Sequence, residues 1–135
     1  MDKATYIFDL ALSVRDYELD LQGIVNNAVY LNYLEHARHE FIKSKGLDFN
    51  RLHHEGYDAV VVRSEIDYKK SLKSGDEFVV RTGVERDSRL KIVFNQQIVR
   101  PADDSIILEA RIFAACIHQN KPVEPLIILE KIGLL

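Results

Sequence analysis

Hydrophobic and polar residues alternate over five stretches of the chain, and each stretch is long enough for a β-strand. The stretches are residues 5–14, 57–70, 76–86, 90–100 and 105–119. A period of two places successive side chains on opposite faces of a sheet. The pattern therefore predicts five strands, of which the last is apolar on both faces. Such a strand needs cover on both sides, and we expect the cover to come from a helix and from another subunit.

One long segment between the first two strands has a different pattern. Residues 28–45 are apolar on nearly all sides in their first half, which predicts a helix buried on most of its surface. Asn26 or Asn27 is suited to the N-cap, because a side-chain oxygen there accepts a free helical N–H. Gly46 is suited to the position just after the last turn. Residues 48–56 are predicted to form a short helix or loop.

The order of these elements is β–α–β–β–β–β, with one buried helix. This order predicts an α+β fold in which an antiparallel sheet packs on a central helix. The apolar tail after Pro125 is expected to dock as a short helix or strand. At this length, residues 1–135 are expected to form one domain.

Composition narrows the classes of function. Of the 135 residues, 47% are apolar and 29% are charged, which is typical of a globular protein. A net charge of −3 gives no general reason to expect a nucleic-acid partner. The sequence shows no signal-peptide pattern and no apolar run of about 18 residues, so no membrane partner is expected. The single cysteine, Cys116, suits a reducing compartment, and we expect a cytoplasmic location.

The segment that leads into the helix carries the candidate chemistry. Asp20 lies in a turn that opens directly into the helix. A helix N-terminus has unpaired N–H groups and a partial positive charge, so it polarises a carbonyl group placed there. A carboxylate beside that carbonyl can attack it or activate a water molecule. These are the minimal parts of an acyl-transfer site.

The same segment resembles the signature of hotdog-fold acyl-CoA and acyl-ACP (acyl carrier protein) thioesterases, in the branch typified by 4-hydroxybenzoyl-CoA thioesterase. In that signature an Asp is followed by Gly, by a small polar cluster and by Y-x-x-Y-x-E-x-A-R. The chain matches it in register with Asp20, Gly23, Asn26, Asn27, Tyr30, Tyr33, Glu35, Ala37 and Arg38. The resemblance implies a hotdog fold, a five-stranded antiparallel sheet wrapped around one long central helix.

The resemblance also implies a reaction, the hydrolysis of an acyl thioester to a carboxylic acid and a free thiol. Asp20 is the expected base or nucleophile, and the sequence does not choose between these roles. The backbone N–H of Asn27 is the expected oxyanion donor, with that of Ala28 as a second candidate. Relatives often carry a histidine where this chain has Ile24 or Asn27. A thiol of pKa ~8.5 leaves without a strong general acid, so this difference is compatible with hydrolysis.

Four further residues of the motif have assigned roles. Gly23 is expected to allow close approach of the substrate, although a plain turn glycine explains it equally well. Tyr30 and Tyr33 are assigned to the core or the pocket wall. Glu35 is either a rival or helper to Asp20 or the ion-pair partner of Arg38 three residues later.

Arg86, Arg89 and Lys91 concentrate positive charge at a predicted strand–turn–strand junction. Related CoA thioesterases contact the nucleotide end of CoA in this region, and guanidinium groups suit phosphate recognition. We therefore assign the three residues to CoA binding, with solvated turn charges as the alternative. The resemblance further implies a homodimer or homotetramer with the active site between two protomers.

Alternatives remain. One is a non-catalytic acyl-thioester binding module, and the intact Asp20 argues against it. Others are an acyl-ACP thioesterase, which shares the phosphopantetheine arm, and a hydratase or dehydratase, whose sites usually pair His with an acid. His36, His39 and Glu40 match no metal-binding spacing. No metal is therefore expected, and the resemblance to thioesterases implies that no cofactor is needed.

Overall fold

A computed structural model describes residues 5–135. Its helices and strands, in chain order, are β1 Phe8–Ser13, α1 Asn27–Ser44, α2 Phe49–His54, β2 Tyr57–Tyr68, β3 Glu77–Ser88, β4 Lys91–Arg100, β5 Ser105–His118, β6 Lys121–Val123 and α3 Leu126–Lys131, with a 3₁₀ turn at Asp16–Glu18. All five predicted strands and the long helix are confirmed. The tail supplies both a sixth short strand and a short helix. No helix within residues 5–135 is long and apolar enough to cross a membrane.

The strands form one antiparallel sheet in the order β1-β3-β4-β5-β2, with β6 added to the end of β5. The sheet curls around α1, which confirms the predicted α+β architecture. Aromatic rings join the two layers, since the Tyr33 ring lies 4.7 Å from that of Phe78 and the Phe41 ring lies 6.5 Å from that of Phe94. At one end of the order, β2 pairs with β5 alone among the described strands. Within residues 5–135, no strand pairs with its outer edge.

The limits of α1 follow the predicted capping residues. Asn26 is the N-cap, and its side chain accepts a hydrogen bond from the Ala28 N–H. Gly46 follows the helix with a φ of +82°, a conformation that glycine adopts without strain. Burial, however, follows a stripe: Leu34 and Ala37 are fully buried, whereas Leu31 is 43% exposed. The prediction of burial on most of the helix surface is therefore wrong for the single chain, because only positions at helical spacing reach the sheet.

The outer face of β5 also differs from the prediction. Phe113 is buried on that face within the single chain. The guanidinium groups of Arg63 and Arg111 lie 5.6 and 5.1 Å from its ring centroid. Long charged side chains can cover apolar surface in this way, so Phe113 needs no second subunit to cover it.

A buried polar network ties α1 to the sheet. The Gln96 amide, fully buried, donates to the Leu34 carbonyl (2.9 Å) and to the Thr82 hydroxyl (3.1 Å). Its oxygen accepts from Arg38 Nη1 at 3.0 Å. The predicted Glu35–Arg38 pair is wrong, because Arg38 turns inward to Gln96. Glu35 instead lies 3.7 Å from His39 (Oε1 to Nε2).

We expect Gln96→Leu to lower the free energy of unfolding by about 1–3 kcal/mol, because Arg38 loses a buried acceptor while the side-chain volume is kept. Urea unfolding of both proteins measures the change. The matched double variant Arg38→Met/Gln96→Leu removes both partners and should recover part of the loss. Equal stability of Gln96→Leu and the wild type would contradict a structural role for the network.

Candidate active site

The loop between β1 and α1 forms a narrow hairpin with Asp20 at its tip. Leu19 pairs with Val25 in an antiparallel bridge, and the Asp20 N–H donates to the Ile24 carbonyl at 2.8 Å. The turn closes at Gly23, whose φ is +79° and whose N–H donates to the Asp20 carbonyl. A positive φ favours glycine. The backbone therefore holds Asp20 in a defined position immediately before α1.

The Asp20 carboxylate is half-buried and is oriented by its own turn. Its Oδ1 accepts from the N–H groups of Gln22 (2.9 Å) and Ile24 (3.3 Å). No backbone N–H in the described chain donates to Oδ2. A carboxylate has about four acceptor positions. The local turn bonds thus fix the direction of the carboxylate and leave oxygen lone pairs for other chemistry.

The first turn of α1 offers one free backbone donor close to the cap. The Asn26 side chain takes the Ala28 N–H, and the Asn26 carbonyl takes the Val29 N–H. In the described chain the Asn27 N–H has no acceptor. Asn27, the expected oxyanion donor, therefore has a free N–H in this part of the chain. The N–H of Ala28, the second candidate, is bound to the Asn26 side chain.

Tyr30 lies under the loop, where its hydroxyl makes a structural bond. It accepts from the Leu72 N–H at 3.1 Å, while the Leu72 carbonyl accepts from the Val25 N–H at 2.9 Å. The Tyr30 side chain is buried, and its ring lies 5.7 Å from that of Tyr68. Of the two assignments made from the sequence, core or pocket wall, these contacts favour the core. Its role is to tie the loop to the segment between β2 and β3.

Glu35 lies on the exposed side of α1, eight residues beyond Asn27. A separation of eight residues corresponds to roughly 12 Å along a helix. Glu35 lines an open groove of about 450 Å³ together with Arg38, His39 and Ile92. Burial lowers the pKa of His39, and the opposing effect of Glu35 is smaller. Within one chain, Glu35 and Asp20 therefore occupy different parts of the surface.

The three predicted CoA-binding residues lie on the β3–β4 hairpin, and two of them already have an anionic partner. Arg86 Nη2 lies 2.5 Å from Glu124 Oε1, and Arg89 Nη1 lies 3.6 Å from Glu124 Oε2. The hydrogen bond from Arg86 lowers the pKa of Glu124, with a smaller effect from Arg89. Lys91 forms no ion pair with another described residue. Glu124 was not among the predicted site residues, because its position in the tail gives no signal of this contact.

Asp20 and this hairpin lie at opposite ends of β3 in one chain. The start of β3 is beside the loop, because the Val14 N–H donates to the Asp76 carbonyl. Arg86 is ten residues further along, which corresponds to roughly 33 Å along a strand. One chain therefore does not bring Asp20 and Arg86 together.

The curled antiparallel sheet and the central helix define a hotdog-fold protein, and the candidate carboxylate, Asp20, lies in the loop that leads into that helix. The model of the Thioesterase-like superfamily matches residues 14–126. The chain belongs to this family.

Named relatives and a solved structure agree with this assignment. A chloroplastic acyl-acyl carrier protein thioesterase from Arabidopsis thaliana is 42% identical over 76% of this chain, and the match spans 55% of that protein's length. A putative acyl-CoA thioesterase, YneP from Bacillus subtilis, is 32% identical over 84% of this chain and 83% of its own. The crystal structure of a hypothetical protein from Aquifex aeolicus has a TM-score of 0.87 at 31% identity, covering 93% of this chain and 99% of that one.

Proposed function

We propose that the protein is an acyl-CoA thioesterase that hydrolyses R–CO–S–CoA to a carboxylate and free CoA. The observation that carries the proposal is that the loop leading into α1 holds an oriented carboxylate, Asp20, and ends at the Asn27 N–H, which has no acceptor within residues 5–135. The names of the relatives support the same chemistry. We further propose the cytoplasm as its location, a reducing compartment in which the Cys116 thiol stays unpaired.

The proposed reaction depends on both the Asn27 N–H and the Asp20 carboxylate. The Asn27 N–H donates to the thioester oxygen and stabilises the tetrahedral oxyanion, an effect typically worth ~3 kcal/mol of barrier. In one route, Asp20 accepts a proton from a water molecule whose oxygen forms the new bond to the carbonyl carbon; the C–S bond then breaks, and Asp20 returns the proton to the leaving thiolate. In the other route, Asp20 attacks the carbonyl carbon itself, the C–S bond breaks, and the thiolate leaves an anhydride on Asp20. Water then cleaves the anhydride to the carboxylic acid product and the free Asp20 carboxylate, and the thiolate takes up a proton.

One relative supports acyl carrier protein, rather than CoA, as the carrier of the acyl group. The relative from Arabidopsis thaliana is named for acyl carrier protein substrates. Acyl carrier protein and CoA present the same phosphopantetheine arm to an enzyme. An acyl-ACP thioesterase is therefore the second candidate function, with the same roles for Asp20 and Asn27.

The unpaired edge of β2 supports a dimeric assembly. Val60, Val61 and Val62 are 39–50% exposed in the first half of this strand. A strand edge of this kind presents unpaired N–H and C=O groups, and natural proteins usually cover it. We propose that the β2 strands of two protomers pair antiparallel around a two-fold axis, the commonest symmetry of homo-oligomers.

Such pairing would complete the site, because one end of β2 lies near the Asp20 loop and the other end lies near the Arg86–Lys91 hairpin. Tyr68, at the end of β2, packs on Tyr30 beside the Asp20 loop. Val60, near the start, lies opposite Ala115, which in turn lies opposite Lys91. Antiparallel pairing would place the Asp20 end of one protomer beside the Arg86–Lys91 hairpin of its partner. The proposed CoA site is therefore shared between two protomers, in a dimer or in a tetramer built from dimers.

A hydrolysis screen tests the proposed function. Short, long and aromatic acyl groups are offered on CoA, on pantetheine and on acyl carrier protein, and released thiol is measured. Hydrolysis of acyl-CoA at a rate well above background supports the proposal. Preference for acyl carrier protein supports the second candidate. Tight binding of acyl-CoA without release of thiol would instead indicate a binding module.

The proposed role of the positive charges on the β3–β4 hairpin can be tested separately. We expect the variant Arg86→Ala/Arg89→Ala/Lys91→Ala to raise KM for acyl-CoA by about 10-fold, the equivalent of one charge-assisted contact. KM for acyl-pantetheine should change little, because that substrate lacks the nucleotide phosphates. Steady-state kinetics with both substrates measure the difference, and Arg51→Ala on α2 is the control. Equal effects on the two substrates would place the nucleotide elsewhere.

A further inference from the structure

Glu18 lies at the point where the Asp20 loop is joined to the rest of the protein. Its Oε1 accepts two hydrogen bonds of 2.8 Å, one from the Arg15 N–H and one from the Tyr33 hydroxyl. Its backbone carbonyl accepts from the N–H of Asn26, the N-cap of α1, at 3.1 Å. Glu18 therefore contacts both ends of the loop that carries Asp20, two residues away.

Tyr33 provides a rigid partner for Glu18. Its side chain is 6% exposed, and its ring lies 4.7 Å from the ring of Phe78 in β3 and 6.1 Å from that of Tyr30. These rings fix the direction of the hydroxyl group. Burial and the bond to Glu18 raise the pKa of Tyr33, so the phenol keeps its proton and remains the donor.

We propose that Glu18 and Tyr33 form a positioning pair for thioester hydrolysis, which sets the location of the Asp20 carboxylate relative to the Asn27 N–H. Neither residue touches the reacting atoms. Tyr33 belongs to α1, the helix that carries Asn27, and Glu18 belongs to the loop that carries Asp20. The bond between them therefore fixes the two halves of the site to each other. This inference rests on the proposed function.

The expected effect is on the rate of reaction rather than on substrate binding. A displacement of about 1 Å at a reacting group can cost ~100-fold in rate. Tyr33→Phe keeps the buried ring and removes only the hydroxyl. We expect kcat to fall by about 10- to 100-fold, with KM for the best acyl-CoA substrate nearly unchanged.

Variants of Glu18 separate positioning from direct catalysis. Glu18→Gln keeps an oxygen that accepts from Tyr33 and Arg15, so it should retain most of the activity. Glu18→Ala has no acceptor and should match Tyr33→Phe. The control is Tyr17→Phe, which removes the hydroxyl of a 76% exposed residue in the same loop, an acceptor for the exposed Arg15 side chain, and should leave kcat unchanged.

The experiment measures kcat and KM for the wild type and the four variants, with thermal unfolding to verify folding. Wild-type kcat in Tyr33→Phe, or in Glu18→Ala if Tyr33→Phe does not fold, would overturn the inference and leave the proposed function intact. Equal inactivity of Glu18→Gln and Glu18→Ala would also overturn it, because Glu18 would then be a reacting group. Absence of hydrolysis in the wild type would refute the proposed function itself.

Discussion

Replacing Asp20 by Asn is expected to lower kcat by at least about 100-fold, the lower end of the contribution of a positioned general base. The amide oxygen of Asn can still accept from the N–H groups of Gln22 and Ile24, so the loop should keep its shape. The amide cannot serve as the base or as the nucleophile. The loss should therefore fall on kcat, with acyl-thioester binding preserved.

Two matched variants make this test specific. Asp16→Asn changes a carboxylate in the same loop whose partner is the Ser74 hydroxyl, and it should leave kcat nearly unchanged. Glu35→Gln tests the rival carboxylate on α1. Wild-type activity in Asp20→Asn would exclude Asp20 as the catalyst, and loss of activity in Glu35→Gln would then identify Glu35.

Introducing a charge on the exposed part of β2 should disrupt the proposed assembly. Val61 is 50% exposed at the unpaired edge, and a two-fold axis through this strand would bring its two copies close together. Val61→Lys then places like charges near each other across the interface, which is unfavourable. We expect light scattering at micromolar concentration to show monomers, and we expect activity with acyl-CoA to be largely lost although Asp20 is intact.

The control for this variant lies at the other side of the sheet. Ile7, next to β1, is 54% exposed, and Ile7→Lys should leave both assembly and activity unchanged. A wild-type protein that is fully active as a monomer would refute the shared site.

Mixing two defective protomers gives a sharper form of this test. The Asp20→Asn protein and the Arg86→Ala/Arg89→Ala/Lys91→Ala protein each lack one part of the proposed shared site. Random pairing makes half of the dimers mixed, and each mixed dimer has one complete site, so about a quarter of all sites should recover. Recovery at low acyl-CoA concentration is the expected result. No recovery in verified mixed dimers would place Asp20 and the hairpin in the same protomer's site.

Local patterns predicted the strands and the ends of α1, because alternation and capping are properties of neighbouring residues. Contacts between distant residues were not predictable in this way. Arg38 and Gln96 are 58 residues apart, and Arg86 and Glu124 are 38 apart. Glu35 was predicted as the partner of Arg38 because residues three apart are neighbours on a helix surface. Folding the helix onto the sheet offered Arg38 a buried acceptor instead.

In the candidate site, too, local features were predictable from the sequence and contacts between distant residues were not. Asp20, Gly23 and the free Asn27 N–H were identified from a contiguous motif, since the loop and helix cap are local structures. The contact between Glu18 and Tyr33 spans 15 residues and depends on the path of the loop across the helix. A motif can mark such a tyrosine, but only the fold shows which atom its hydroxyl meets.

If the hairpin binds CoA as proposed, the ion pairs of Glu124 would affect the release of product. At the proposed CoA site, the two arginines already hold an anion, so an incoming phosphate must exchange with the Glu124 carboxylate. The carboxylate can return when the phosphate departs, which offsets part of the cost of breaking the contacts. Glu124 would thus weaken the hold on the nucleotide of free CoA and limit inhibition by the product.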